Sequence, residues 1–157
     1  MKKILMQIAL GATALLFTSV AGAATTGAFH ANLSGSDESP AVKTKAKGEA
    51  VFHLSKDGKE LSYKLTVSDI NNVTAAHIHM GRKGVEGPPV AGLFAGPEKK
   101  GSFSGTLVQG TLNDKDLMGS LSGKSVHDLI TLIRKGDTYV NVHDEKYPNG
   151  ELRGQIR

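Results

Sequence analysis

A chain of 157 residues without a single cysteine has no disulfide, no thiolate nucleophile and no thiolate metal ligand. Its formal charge is +4, and setting aside Lys2 and Lys3 leaves 17 basic against 15 acidic residues, a surplus of +2. So small a surplus, with no basic cluster interleaved with aromatics, excludes an electrostatic binder of nucleic acid.

The N-terminal stretch MKKILMQIALGATALLFTSVAGAA places Lys2 and Lys3 before an uncharged apolar run from Ile4 to Val20. Ala21-Gly22-Ala23 then puts small residues at both cleavage-recognition positions. Residues 1–23 therefore read as a signal peptide, cut after Ala23, and the destination is a bacterial periplasm or the outside. A membrane anchor wants roughly 20 strongly apolar residues, and Gln7, Thr13, Thr18 and Ser19 dilute this run. No membrane segment is expected after cleavage, and no Cys follows the run to carry a lipid. Residues 24–157 are expected to form a single domain, and a domain of this size buries roughly two-thirds of its unfolded surface without staples.

From there the apolar residues mostly alternate with polar ones, the period of a strand. Phe29, Ala31 and Leu33 alternate in one segment, Ala50, Phe52 and Leu54 in the next, and Leu61, Tyr63, Leu65 and Val67 in a third. Lys56-Asp57-Gly58-Lys59 is a hairpin turn, because Gly tolerates positive φ. VTAAHIHMG is predicted as a separate strand ended by Gly81, and GRKGVEGPPVAG, with four Gly and two Pro, as a loop. SFSGTLVQGTL reads as a strand. NDKDLMG makes one helical turn capped by Asn113 or Asp114. Ser125-Val126-His127-Asp128 has a capping-box pattern before the apolar face Leu129, Ile130, Leu132 and Ile133, and Gly136 stops that helix. TYVNVHDE and GELRGQIR pair around the turn Tyr147-Pro148-Asn149-Gly150. The expected fold class is all-β: an antiparallel immunoglobulin-like or superoxide-dismutase-like Greek-key sandwich with one or two short helices.

The candidate chemistry lies in the histidines. His77 and His79, two apart on one strand, point to the same face with Cα atoms about 6.6 Å apart at a rise of roughly 3.3 Å per residue. Val140 and Val142 claim the buried face of the TYVNVHDE strand, so Asn141 and His143 take the opposite face. If the two strands are neighbours, His77, His79 and His143 form a three-nitrogen metal site. Imidazole suits copper and zinc, and the absence of clustered carboxylates argues against calcium and magnesium. The competing reading is a polar face in which these histidines only hydrogen-bond, joined by Glu151 and Arg153, which alternate on the last strand. His53 is expected to face solvent and His127 to lie on the helix surface. His30 is too far from Ala24 for an amino-terminal copper clamp.

Nothing else in the chain looks catalytic. No Ser stands in G-x-S-x-G. Paired acids occur only at Asp37-Glu38 and Asp144-Glu145, both expected in turns. GRKGVEG lacks the Lys-Ser/Thr ending of a phosphate loop.

The segments AAHIHMGRKGVEGPPV and YVNVHDEKYPNGELRGQI, with the opening LSGSDESPAVKTKAKGEAVFHLSKDGKELSYKLTV, resemble the CHRD domain family, the module repeated in chordin and found singly in bacterial exported proteins. The resemblance covers about residues 29–157, and Ala41 stands where a second Pro is common. It implies an all-β sandwich. Chordin binds growth factors, but a bacterial copy implies no such partner. A weaker similarity is to copper-zinc superoxide dismutases, in the order HIHMG, VNVHDE, NGELRGQI. That similarity implies His77, His79 and His143 as copper ligands and Arg153 as a substrate-guiding arginine. The bridging histidine, the zinc-ligand cluster and the disulfide cysteines of those enzymes have no counterpart here. The expectation is a non-enzymatic exported protein with a mononuclear copper or zinc site. The alternatives are an interaction module with an unidentified protein partner and, last, a copper-dependent dismutase-like enzyme.

Overall fold

The computed structural model describes residues 27–157; the signal-peptide reading of residues 1–23 lies outside them. Seven strands form one antiparallel sheet: β1 (Ala28–Ser34), β2 (Lys47–Leu54), β3 (Leu61–Met80), β4 (Pro89–Phe94), β5 (Lys99–Leu112), β6 (Thr138–Asp144) and β7 (Leu152–Gln155). One helix, α1 (Val126–Arg134), precedes β6. Among the described residues no helix is long and apolar enough to cross a membrane.

The all-β antiparallel expectation holds, and the sheet closes on itself. Its order is β2-β1-β7-β6-β3, and β3 returns to pair with β2, giving a closed five-stranded barrel with β4 and β5 on the other edge of β3. Closure depends on the length of β3. Its first half, Leu61–Ser68, pairs with β2, and its second half, Val73–Met80, with β6. The sequence suggested two strands here; they are one, bent at residues 69–72. Asp69 (φ 54°) and Asn72 (φ 48°) take the left-handed backbone that short polar side chains tolerate. Asn72 Oδ1 accepts from the Gly101 amide of β5 and its Nδ2 donates to Glu145, so the bend is tied on both sides.

A second correction concerns residues 89–92, expected in a loop. The loop ends at Pro88, and Pro89–Phe94 pairs with the second half of β3, His79 opposite Pro89 and His77 opposite Gly92. Proline is compatible with the first residue of an edge strand, and the Gly and Pro content masked the buried Val90, Ala91 and Leu93.

The alternating residues do face the interior: Ala31, Leu33, Phe52, Leu65, Ile78, Val140 and Leu152 are buried in one cluster. Helix α1 adds Val126, Leu129, Ile130 and Ile133 to it. A nine-residue helix is marginal alone. Burying four such side chains contributes roughly 1.5–3 kcal/mol each before entropy, so tertiary packing holds it. Its ends match the sequence signals: the Ser125 amide and hydroxyl both donate to Asp128 Oδ2, and Gly136 (φ 71°) terminates it. Asn113 caps the short turn Asp114–Asp116, accepting from the Lys115 amide.

Candidate metal centre

The second half of β3 places Ile78 opposite Val140 inside the barrel and His77 opposite Asn141 on its outer face, with Ala75 opposite His143. On β7, Arg153 lies opposite Asn141. Strand period thus brings His77, His79, Asn141, His143 and Arg153 to one outer patch. The three histidine rings pack with centroids 5.2, 5.8 and 5.9 Å apart, and one nitrogen from each lies within 4.8 Å of the other two.

The hydrogen bonds define which nitrogens face inward. His79 Nδ1 lies 2.8 Å from Gly87 O, and His143 Nδ1 lies 3.0 Å from Pro148 O. A carbonyl only accepts, so both Nδ1 atoms carry the proton, and in the neutral rings both Nε2 atoms hold a lone pair. His143 Nε2 accepts from His77 Nδ1 at 3.2 Å. His79 Nε2 is buried and has no hydrogen-bond partner among the described residues. A buried acceptor left unpaired costs on the order of 1–3 kcal/mol, which a metal ion bound there would offset.

The spacing of His77 and His143 suits a copper or zinc ion, and His79, with the three nitrogens within 4.8 Å of one another, would join them after a small ring movement. Ligands at about 2.1 Å in tetrahedral array stand about 3.4 Å apart, close to the His77–His143 separation of 3.2 Å. The donors would be His79 Nε2, His143 Nε2 and His77 Nδ1, the last only once its proton has shifted to Nε2 and its bond to His143 is given up. Backbone carbonyls on the far nitrogens of His79 and His143 set tautomer and ring orientation, as such partners do at metal-ligating imidazoles. Binding needs the neutral rings, and the environment supplies them. Burial, helped by the adjacent His143 and His79, lowers the pKa of His77 to about 4. Burial also lowers those of His79 and His143, against the opposing pull of the Gly87 and Pro148 carbonyls, and the Arg153 charge adds to the lowering at His79.

Over His79 and His143 opens a cleft of about 300 Å³, which Arg153, Asn141, Tyr139 and Glu38 also line. Tyr139 is layered between two of its neighbours: its ring stacks on His79 at 5.1 Å, and the Arg153 guanidinium lies 3.5 Å from its centroid. Arg153 Nη2 donates to the carbonyls of Arg82 and Val85, pinning the 81–88 loop over the patch. Asn141 Nδ2 donates to Glu38 and to Leu152 O at 2.9 Å. Gly150 (φ 127°) packs against that amide so closely that any Cβ would collide with Asn141 and Glu38. Burial raises the pKa of Glu38, while the Asn141 hydrogen bond and the Arg153 charge hold it down.

The remaining candidate, Glu151, is placed apart from the cleft. Its Oε1 accepts from the Thr44 hydroxyl, and its Oε2 is buried without a partner among the described residues. Burial, with Asp144 alongside, raises its pKa to about 7. His53 and His30 are exposed, as is His127 on α1. Sequence reasoning passed over Glu38, Tyr139, Gly87 and Pro148. Glu38 stands in the DESPAV segment already singled out, but no spacing linked it to the histidines. The roles of Gly87 and Pro148 are carried by backbone carbonyls, for which the side chains give no signal.

A closed antiparallel barrel with a histidine cluster on its outer face, roofed by one Gly-rich loop, defines the class of domain. The CHRD domain family model matches residues 29–156, and the chain belongs to that family. No curated protein and no solved structure matches the chain.

Proposed function

We propose that this CHRD-domain protein is exported to the periplasm or beyond and holds one copper or zinc ion on His77, His79 and His143, without catalysing a reaction. The observation that carries the reading is the buried lone pair of His79 Nε2, left without a partner in a cluster where one nitrogen from each of three imidazoles lies within 4.8 Å of the others. Copper is preferred over zinc by the general affinity order for nitrogen ligands. Export rests on Lys2-Lys3, the apolar run and Ala21-Gly22-Ala23. The Greek-key reading, immunoglobulin-like or superoxide-dismutase-like, is supported by a strand order in which the first strand neighbours the last. Isothermal titration of the cleaved protein with Cu(II) and Zn(II) is the test. One ion per chain in the parent, and none in His79→Ala, is the expected result; a parent that binds neither ion refutes the reading.

A second reading treats the cluster as a hydrogen-bonded support for a protein-interaction module. It is favoured by the direct His77–His143 bond and the two carbonyl bonds, which partner four of the six ring nitrogens without any ion. A copper-dependent dismutase-like activity ranks third. Arg153 in the same cleft supports it, while the 81–88 loop carries only Glu86 as an acid and no histidine. A superoxide assay on copper-loaded protein separates it from the first reading.

A further inference from the structure

The histidine cleft meets only one side of Arg153. On the other side lies a second cleft, of about 260 Å³, between β1, β7 and the 81–88 loop. His30 and Asn32 project into it from β1 and Gln155 from β7, and Lys83, Arg153 and Arg157 bring three permanent cations. Asp37 is the one acidic side chain lining it, and it is already engaged: it accepts from the Ser34 hydroxyl at 2.8 Å and lies 3.8 Å from Lys83 Nζ.

Arg153 is 2% exposed, yet among the described residues no carboxylate approaches its guanidinium within the 4 Å of an ion pair. Nη2 spends both hydrogens on carbonyls, and Tyr139 covers one face. The N–H groups of Nε and Nη1 have no protein acceptor among the described residues and are not sealed from solvent, so they are free to take a ligand. Glu38 feels the Arg153 charge, but it lies in the other cleft and is bonded to Asn141. A buried cation without a counter-ion is costly, so such groups are paired or hold a ligand.

We propose that this second cleft binds a tetrahedral oxyanion of the phosphate or sulfate type, held by Arg153, Lys83 and Arg157, with Asn32 and Gln155 as neutral donors. The cations come from three separate segments, β7, the 81–88 loop and the residues after β7. They suit an anion with oxygens in several directions better than a planar carboxylate, which offers two. The volume falls just under the roughly 300–1,000 Å³ of sites for drug-sized ligands, so a small ion or a small monoester fits. The site needs no metal and stands independently of the histidine reading.

The test is calorimetric titration of metal-free protein with inorganic phosphate, sulfate and glycerol 3-phosphate, each against sodium chloride at matched ionic strength. Saturable binding of one anion per chain is expected, weakened about tenfold in Lys83→Gln and retained in the double variant His77→Ala with His79→Ala. The tighter of inorganic phosphate and glycerol 3-phosphate identifies the free ion or the monoester as the source. The proposal is overturned if no anion exceeds chloride, if Lys83→Gln and Arg157→Gln both bind as the parent does, or if the double histidine variant loses the anion.

Discussion

The two halves of β3 share one strand and one alternating pattern, yet their outer faces differ. In Leu61–Ser68 the inward residues Leu61, Leu65 and Val67 are buried and the outward Lys64 is exposed, as hydrophobic-in, polar-out predicts. In Val73–Met80 the inward Ala76 and Ile78 are equally buried, but the outward His77 and His79 are half-buried, His79 against the Gly87 carbonyl of the 81–88 loop and His77 against His143. Burying imidazoles on an outer face contributes little to the fold and costs desolvation. The first half therefore shows what the barrel needs, and the second shows what has been added to it.

The largest effects should not distinguish the halves at all. Leu65→Ala and Ile78→Ala each remove a fully buried side chain and should cost about 2–5 kcal/mol by chemical denaturation. A large difference between them would show that the barrel is not one cooperative core.

Next is the packing behind the site. Gly150→Ala forces a Cβ into Asn141 and Glu38 and strains a positive φ. A loss of about 1–3 kcal/mol is expected from the backbone strain and the clash. Copper affinity should fall with it, because Pro148, which orients His143, is in the same turn. Stability lost with copper affinity intact would separate the turn from the site.

The pH dependence contains two opposing trends. His77 titrates near 6.5 unfolded and near 4 folded, so the unfolded chain binds the extra proton and stability falls as pH drops through that window. Glu151 titrates near 4.5 unfolded and near 7 folded, so its protonated form favours the fold and stability falls as pH rises from 4.5 to 7. Glu151→Gln removes the second trend, since its amide is neutral at any pH. The variant should exceed the parent by about 1–3 kcal/mol at pH 8 and show a steeper rise in stability from pH 4.5 to 7. Urea midpoints across pH check both; identical profiles would remove Glu151 from the account.

The smallest effect belongs to the outward face of the first half. Lys64→Ala should change stability by no more than about 0.5 kcal/mol and leave copper binding untouched.

Much of this contrast was legible in the sequence because it depends on period two. Alternation placed Leu65 and Ile78 inside and His77, His79, Asn141 and His143 outside, and the Asp57-Gly58 turn and the Ser125–Asp128 cap carry local signals. What was hidden is non-local. Closure of the barrel requires the bend at Asp69 and Asn72, where two residues read as a strand end. Strand β4 was masked by Pro88, Pro89 and Gly92. The histidines are held by the carbonyls of Gly87 and Pro148, and Asn141 beside them by Glu38, about 100 residues away from it in the chain. Glu151 shares the alternation of Arg153, but it turns to Thr44 and Asp144 instead.

Thermal unfolding with and without Cu(II) tests most directly whether the second half of β3 holds a metal. At about a hundred times the dissociation constant, binding stabilises by about 2.7 kcal/mol, which for a domain of this size raises the midpoint by on the order of 10 °C. The account predicts that rise in the parent and its loss in the double variant His77→Ala with His79→Ala, whose metal-free form stays folded. No copper-induced rise in the parent at saturating ion, or a double variant that is unfolded without metal, would contradict it.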